Sequence, residues 1–174
     1  STAITKQISK NSFFALQLER RGLDLKGGFE SGLLRASRVC DVMEENAELL
    51  SQDMILASLR VCLQNSKLGE LFVVDDDGRL VGTITLADLS ETAFDPNLDF
   101  LVNAADVMRR KPPMLLCNDH LEEALQTMRD SGESLIAVVD HADSRKFLGS
   151  IEEKHVMAAY NRALLHSRYE ERDV

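Results

Sequence analysis

The sequence contains no tryptophan, two tyrosines and seven phenylalanines, so aromatic residues make up only 5% of its 174 residues. A stacking platform for single-stranded nucleic acid needs such rings and would be thin here. Positive charge is also scarce, with 20 Lys and Arg against 29 Asp and Glu and a formal net charge of −9. Such an excess disfavours generic binding to a phosphate backbone, so no nucleic-acid partner is expected, while a local site for one small anion stays open. Long apolar runs are missing too. Runs such as Leu71 to Val74 and Leu135 to Val139 fall far short of the roughly 20 residues that cross a bilayer, and no secretory pattern is read at the start. Cys40, Cys62 and Cys117 are odd in number and form no C-x-x-C pair. Neither a disulfide framework nor a zinc site is expected, and a reducing compartment is.

The motifs of independent catalysis are absent as well. There is no P-loop, no G-x-G-x-x-G and no G-x-S-x-G, and no nucleophile and base can be nominated from spacing. His120, His141, His155 and His166 show no H-E-x-x-H spacing; Glu152-x-x-His155 matches half of a di-iron motif without a second copy. The expectation is therefore no metal site and no enzyme activity. Asp75-Asp76-Asp77 reads as a solvated turn rather than a calcium loop.

What the sequence does have is a globular composition, 44% hydrophobic and 28% charged, and a duplication. Asp41-Val42-Met43 recurs as Asp106-Val107-Met108, and Val73-Val74-Asp75 recurs as Val138-Val139-Asp140, both offset by 65; Gly82 recurs as Gly149, offset by 67. Between the anchors, Leu121, Ala124, Leu125 and Met128 form one apolar helical face, matched by Ile55, Ser58, Leu59 and Cys62. Asp119 with Glu122 reads as a capping box and Asp53 as the cap of the first helix. Each helix is followed by a predicted hairpin: 71–75 with 80–84 around Asp77-Gly78, and 135–140 with 147–151 around a longer loop. A short strand precedes each helix (48–50 and 114–116), and a second helix follows each hairpin, starting near Thr85 and spanning about 153–166.

Each unit thus reads β-α-β-β-α. One such unit is marginal alone; two packed face to face bury both sheets. The expected fold is α/β (α+β), with pseudo-twofold symmetry and a cleft between the halves. Residues 1–38 are expected to be a helix (8–18) and a glycine-rich linker, 39–95 repeat one, 96–166 repeat two, and 167–174 a tail in which Tyr169 to Asp173 fray.

Asp-Val-Met, the helix, and Val73-Val74-Asp75 through Gly82-Thr83-Ile84-Thr85 to Asp88-Leu89 resemble the CBS domain, and two in tandem resemble a CBS pair, or Bateman module. The likeness covers about residues 39–160. Lys10 to Leu18 and Arg20 to Leu25 are similar to the junction after the last membrane helix of voltage-gated chloride channels and chloride/proton antiporters. That resemblance implies a regulatory module on the cytoplasmic face of a membrane protein. Its partners would be the membrane-embedded chloride channel or transporter domain of the same protein and a second copy of itself, as a homodimer. A nucleotide-free dimerisation scaffold, or a regulatory module of a nucleotide-metabolising enzyme, are the alternatives.

Thr85 and Asp88 admit two readings. They form a capping box, or they hold a ligand: a helix N-terminus suits phosphate, and a carboxylate can take ribose hydroxyls. The T-x-x-D pattern is similar to the one with which CBS pairs bind adenosine nucleotides, which implies ATP, ADP or AMP as a regulatory ligand and no other cofactor. Arg109 and Arg110, with Lys111, are either a solvated turn before Pro112-Pro113 or partners for phosphate or for an acidic protein surface. In repeat two the aligned positions are Glu152 and His155, which offer neither hydroxyl nor carboxylate in the same order, so an equivalent second site is not expected.

Overall fold

The computed structural model describes residues 29–89 and 95–170. Its elements are α1 (Phe29–Arg35), β1 (Leu49–Ser51), α2 (Leu56–Asn65), β2 (Glu70–Val74), β3 (Leu80–Thr85), α3 (Ala104–Val107), β4 (Arg109–Arg110), β5 (Met114–Leu116), α4 (Leu121–Ser131), β6 (Leu135–Val139), β7 (Phe147–Glu152) and α5 (Glu153–Glu170), with 3-10 turns at Val39–Asp41, Leu86–Leu89 and Pro96–Leu98. The two halves have the same topology. β1 lies parallel to β2 and β2 antiparallel to β3; β5, β6 and β7 repeat this pattern. Both hairpins carry an irregularity at the same place, Val73/Val74 and Val138/Val139.

The repeated anchors have local causes. Asp75 and Asp140 organise the hairpin turns: Asp75 Oδ1 accepts from the amides of Asp77 and Arg79 at 3.0 and 2.9 Å, and Asp140 Oδ1 from the His141 amide and Ser144 hydroxyl, each at 2.6 Å. The Ser144 hydroxyl, followed by the His141 and Lys146 amides, holds the Asp140 carboxyl below its usual range. The aspartate of each D-V-M accepts the amide three residues earlier, Arg38 for Asp41 and Asn103 for Asp106. Gly82 and Gly149 are needed for close approach. A Cβ at Gly82 would stand 2.6 Å from Met108 Sδ and 2.9 Å from the Arg109 carbonyl oxygen, and one at Gly149 would collide with the Glu44 carbonyl.

Those contacts reveal an exchange. Arg109–Arg110 pairs with β3 through Thr83 and Gly82, giving the first half a fourth strand. Glu44, after the first D-V-M, bridges Ser150 on β7 in the second half, amide to carbonyl in both directions. The lead-in to each repeat packs on the other one. Leu34 and Val39 belong to a core with Leu121, Leu125, Ile136, Ile151 and Val156. Ala104 and Met108 belong to a core with Leu50, Leu59, Leu71 and Ile84. A third cluster, Phe72, Leu80, Leu135, Ala137 and Val139, joins the facing sheets, with the Phe72 and Phe147 rings 5.3 Å apart. Burying such side chains contributes roughly 2 kcal/mol each before chain entropy is counted.

Several expectations need adjustment. Ile55, not Asp53, is the N-cap of α2; the first amides of α2 donate to the Val102 and Asp99 carbonyls, so no acidic cap is required. The second capping box is shifted by one, to His120 and Glu123, because Asp119 accepts the Leu116 amide at 2.8 Å. Residues 29–35 form a helix within the stretch expected to be a linker, since burial of Leu34 outweighs the low helix propensity of Gly32. After Thr85 the described residues form a four-residue 3-10 turn. At the far end α5 continues through Glu170, into the stretch from Tyr169 expected to fray. The predicted helix over 8–18 lies outside the described residues. Among those described, no helix is long and apolar enough to cross a membrane.

Candidate functional site

β3 ends at Thr85, on the face that looks toward the other repeat. Strand alternation puts Thr83 and Thr85 on one face and Ile84 on the other, and Ile84 is in the first repeat's own core. The Thr85 amide and hydroxyl both donate to Asp88 Oδ2, at 2.7 and 2.8 Å. The pair is thus a closed capping arrangement, each using the other's polar groups. The turn it caps is too short for a large macrodipole.

Arg109 completes the constellation. Its Nε lies 3.3 Å from Asp88 Oδ2, its Nη2 3.4 Å from Glu70 Oε1 and its Nη1 2.5 Å from Glu133 Oε1. Glu70 stands opposite Thr85 in the β2–β3 register. Glu133 comes from the second repeat, just beyond α4. One guanidinium therefore faces three carboxylates, each less than one-fifth exposed. A single positive charge cannot compensate all three. Burial, followed by repulsion from Glu133, pushes the Glu70 carboxyl up to about 7 against the attraction of Arg109.

The structure brings together Thr85, Asp88 and Arg109 and parts Arg110 from them. Adjacent strand residues face opposite sides; Arg110 donates from Nη2 to the Ala105 carbonyl at 3.1 Å and lines an open groove of about 520 Å³ with Arg79, Lys111 and Arg145. Lys111 and Arg145 are the non-glycine residues with positive φ, 56° and 51°, among those described. Sequence spacing did not reveal Glu70 or Glu133. The signal for Glu70 was its place one rung beyond the predicted hairpin of 71–75 with 80–84, which sets it opposite Thr85; Glu133 had none. The buried Thr83 hydroxyl, 1% exposed, has no hydrogen-bond partner.

The equivalent seam of the second repeat uses other chemistry. Glu152 replaces Thr85, His155 replaces Asp88, and Glu44 takes the place of Arg109 after D-V-M. His155 Nε2 lies 3.4 Å from Glu44 Oε1, and Lys154 Nζ lies 2.8 Å from Glu152 Oε2. Elsewhere, Cys40 and Cys117, far apart in sequence, lie side by side as free thiols, and burial with the neighbouring Cys40 pushes the Cys117 thiol up to about 11.

The family model for the CBS domain matches residues 39–94 and 104–162. A homoserine O-acetyltransferase of Methanosphaera stadtmanae is 28% identical over 135 residues, which is 76% of this chain and 26% of that protein. The cytosolic domain of the Mg2+ channel MgtE, solved in complex with ATP, superposes with a TM-score of 0.58 at 22% identity, covering 70% of this chain and 48% of that one. CBSX2, solved in complex with AMP, gives 0.59 at 25% identity, covering 75% and 98%. The chain thus spans about a quarter of the curated relative and about half of the channel domain.

Proposed function

The chain belongs to the CBS-domain family, as a tandem pair, and from that premise we propose that it is the regulatory and dimerising module of a chloride channel or transporter, held at the cytoplasmic face of the membrane and responsive to an adenine nucleotide. Residues 1–38 would lead in from the membrane region, with repeat one at 39–95, repeat two at 96–166 and the tail at 167–174. Residues 10–25 support the chloride family by resemblance; the MgtE domain, described as cytosolic and solved with ATP, supports a transporter attachment and the ligand class. Exposed Val61 on α2 and Leu165 on α5 support a homodimer formed through the helices.

One observation carries the mechanism. Arg109 ties Asp88 and Glu70 of the first repeat to Glu133 of the second. A nucleotide would place phosphate against Thr85 and Arg109 and ribose against Asp88. Phosphate drawing the guanidinium away would release Glu133 and alter the join between the repeats. That is linkage: the ligand favours the arrangement in which Arg109 is free for it. The unpartnered Thr83 hydroxyl on the same face is a further donor for such a ligand. Titration calorimetry with ATP, ADP and AMP tests the site. Binding by the native chain and its loss in Thr85→Val with Asp88→Ala is the expected result, and unchanged binding in that double variant refutes the assignment.

A nucleotide-free scaffold is the second reading, and the engagement of the Arg109 guanidinium by three carboxylates favours it. No heat and no thermal shift with any of the three nucleotides would decide for it. The relative named as an acetyltransferase gives the enzyme-module reading its support. The full reading frame separates these: ten or more hydrophobic spans ahead of Ser1 support the channel, and a fused catalytic domain rejects it.

A further inference from the structure

We propose that the second seam is a divalent transition-metal site of the Zn2+ class, with Glu44, Glu152 and His155 as ligands. One ligand atom from each lies within 4.8 Å of the other two. They arrive from three places: Glu44 from the lead-in to repeat one, Glu152 from the end of β7, and His155 from the first turn of α5. Glu44 is held in position by its paired backbone bonds to Ser150, at 2.8 and 2.9 Å.

The chemistry favours a borderline cation. One imidazole with two carboxylates is a zinc-type set that leaves at least one coordination position open, whereas Mg2+ and Ca2+ prefer oxygen alone. Ligand atoms about 2.05 Å from a tetrahedral metal stand about 3.3 Å apart, and Glu44 Oε1 and His155 Nε2 are already 3.4 Å apart. Glu44 is the most exposed member, its side chain 59% exposed, while Glu152 is 14% and His155 24% exposed. The charge balance points the same way. The first seam sets Arg109 among its carboxylates; the second has a carboxylate at that position, and its nearby cation is the exposed Lys154 on Glu152. A bound metal would supply the missing positive charge and clip the lead-in segment of repeat one to α5 of repeat two. It stands whether or not a nucleotide binds at the first seam.

The test is calorimetry with Zn2+ alone on the EDTA-treated, reduced 174-residue chain, with Co2+ absorption as a spectroscopic reporter. The expected result is one site per chain, a Co2+ spectrum of low-symmetry N/O coordination, and a thermal midpoint raised by about 5 °C at 100-fold excess over the dissociation constant. Glu44→Gln, an exposed substitution that leaves the fold intact, should weaken binding at least ~10-fold. His155→Asn should abolish it. Lys154→Ala should tighten it by removing a competitor for Glu152. Cys40→Ser with Cys117→Ser should leave it unchanged. Absence of binding overturns the proposal, as does binding untouched by Glu44→Gln and His155→Asn or lost with the cysteines.

Discussion

The two seams occupy equivalent places in equivalent repeats and have opposite electrostatic designs. At the first, β4 lies along β3 and delivers a guanidinium to three carboxylates. At the second, Glu44 bridges β7 and delivers a carboxylate to a glutamate and a histidine. The backbone interaction is preserved while the side chain it carries has reversed sign. The fold therefore depends on the crossing itself, and the charge at the crossing is free to specialise.

The largest effect is expected from disturbing the crossings. Gly149→Ala drives a Cβ into the Glu44 backbone, which has no rotamer to escape by, and should cost on the order of 3 kcal/mol in urea unfolding. Gly82→Ala meets chiefly the Met108 side chain, which can swing, along with the Arg109 carbonyl, and should cost about half as much. Equal losses would mean that the two crossings are mechanically alike.

Next comes the half-buried carboxylate of Glu70. Glu70 titrates near 7 when folded and near 4.5 when unfolded, so the folded state holds its proton more tightly. Its contribution is fully present below pH 4.5 and is lost as pH rises through 7. Glu70→Gln should remove that slope and stabilise the protein by on the order of 2 kcal/mol at pH 8, with little effect at pH 4. A pH-independent difference in denaturation midpoints would contradict this account of the first seam. Arg109→Met should destabilise by about 1–2 kcal/mol at pH 8, discounted because the guanidinium is 41% exposed, and should raise the apparent titration of Glu70 in a carboxyl NMR experiment. In the metal-free chain Glu44→Gln should change stability by less than about 0.5 kcal/mol, because Glu44 is exposed.

Much of the fold was legible because it is written in local patterns. The D-V-M and V-V-D anchors are an acid placed to receive nearby amides, and the apolar face of α4 has one spacing. Thr85 and Asp88 were legible as a pair for the same reason, being three residues apart. What spacing hid was pairing across long separations. Glu44 meets His155 from 111 positions away and Arg109 meets Glu133 across β5 and α4, 24 positions on. One clue was available: aligning the repeats on D-V-M sets Glu44 against Arg109 and shows the reversal of sign. The capping boundaries slipped because Asp119 and the Val102 carbonyl serve partners outside the helix they flank. Gly32 suggested a linker, yet Leu34 found a core to enter.

The exchange of lead-in segments bears on how the polypeptide can be divided. A cut between 89 and 95 would separate each half from the strand or turn, carried by the other piece, that finishes its own sheet edge and fills its own core. Neither piece would be self-sufficient, whereas the two mixed in equal amounts would reassemble. Severing the connection would thus turn one folding reaction into a bimolecular association, with a midpoint that climbs as the fragments are concentrated.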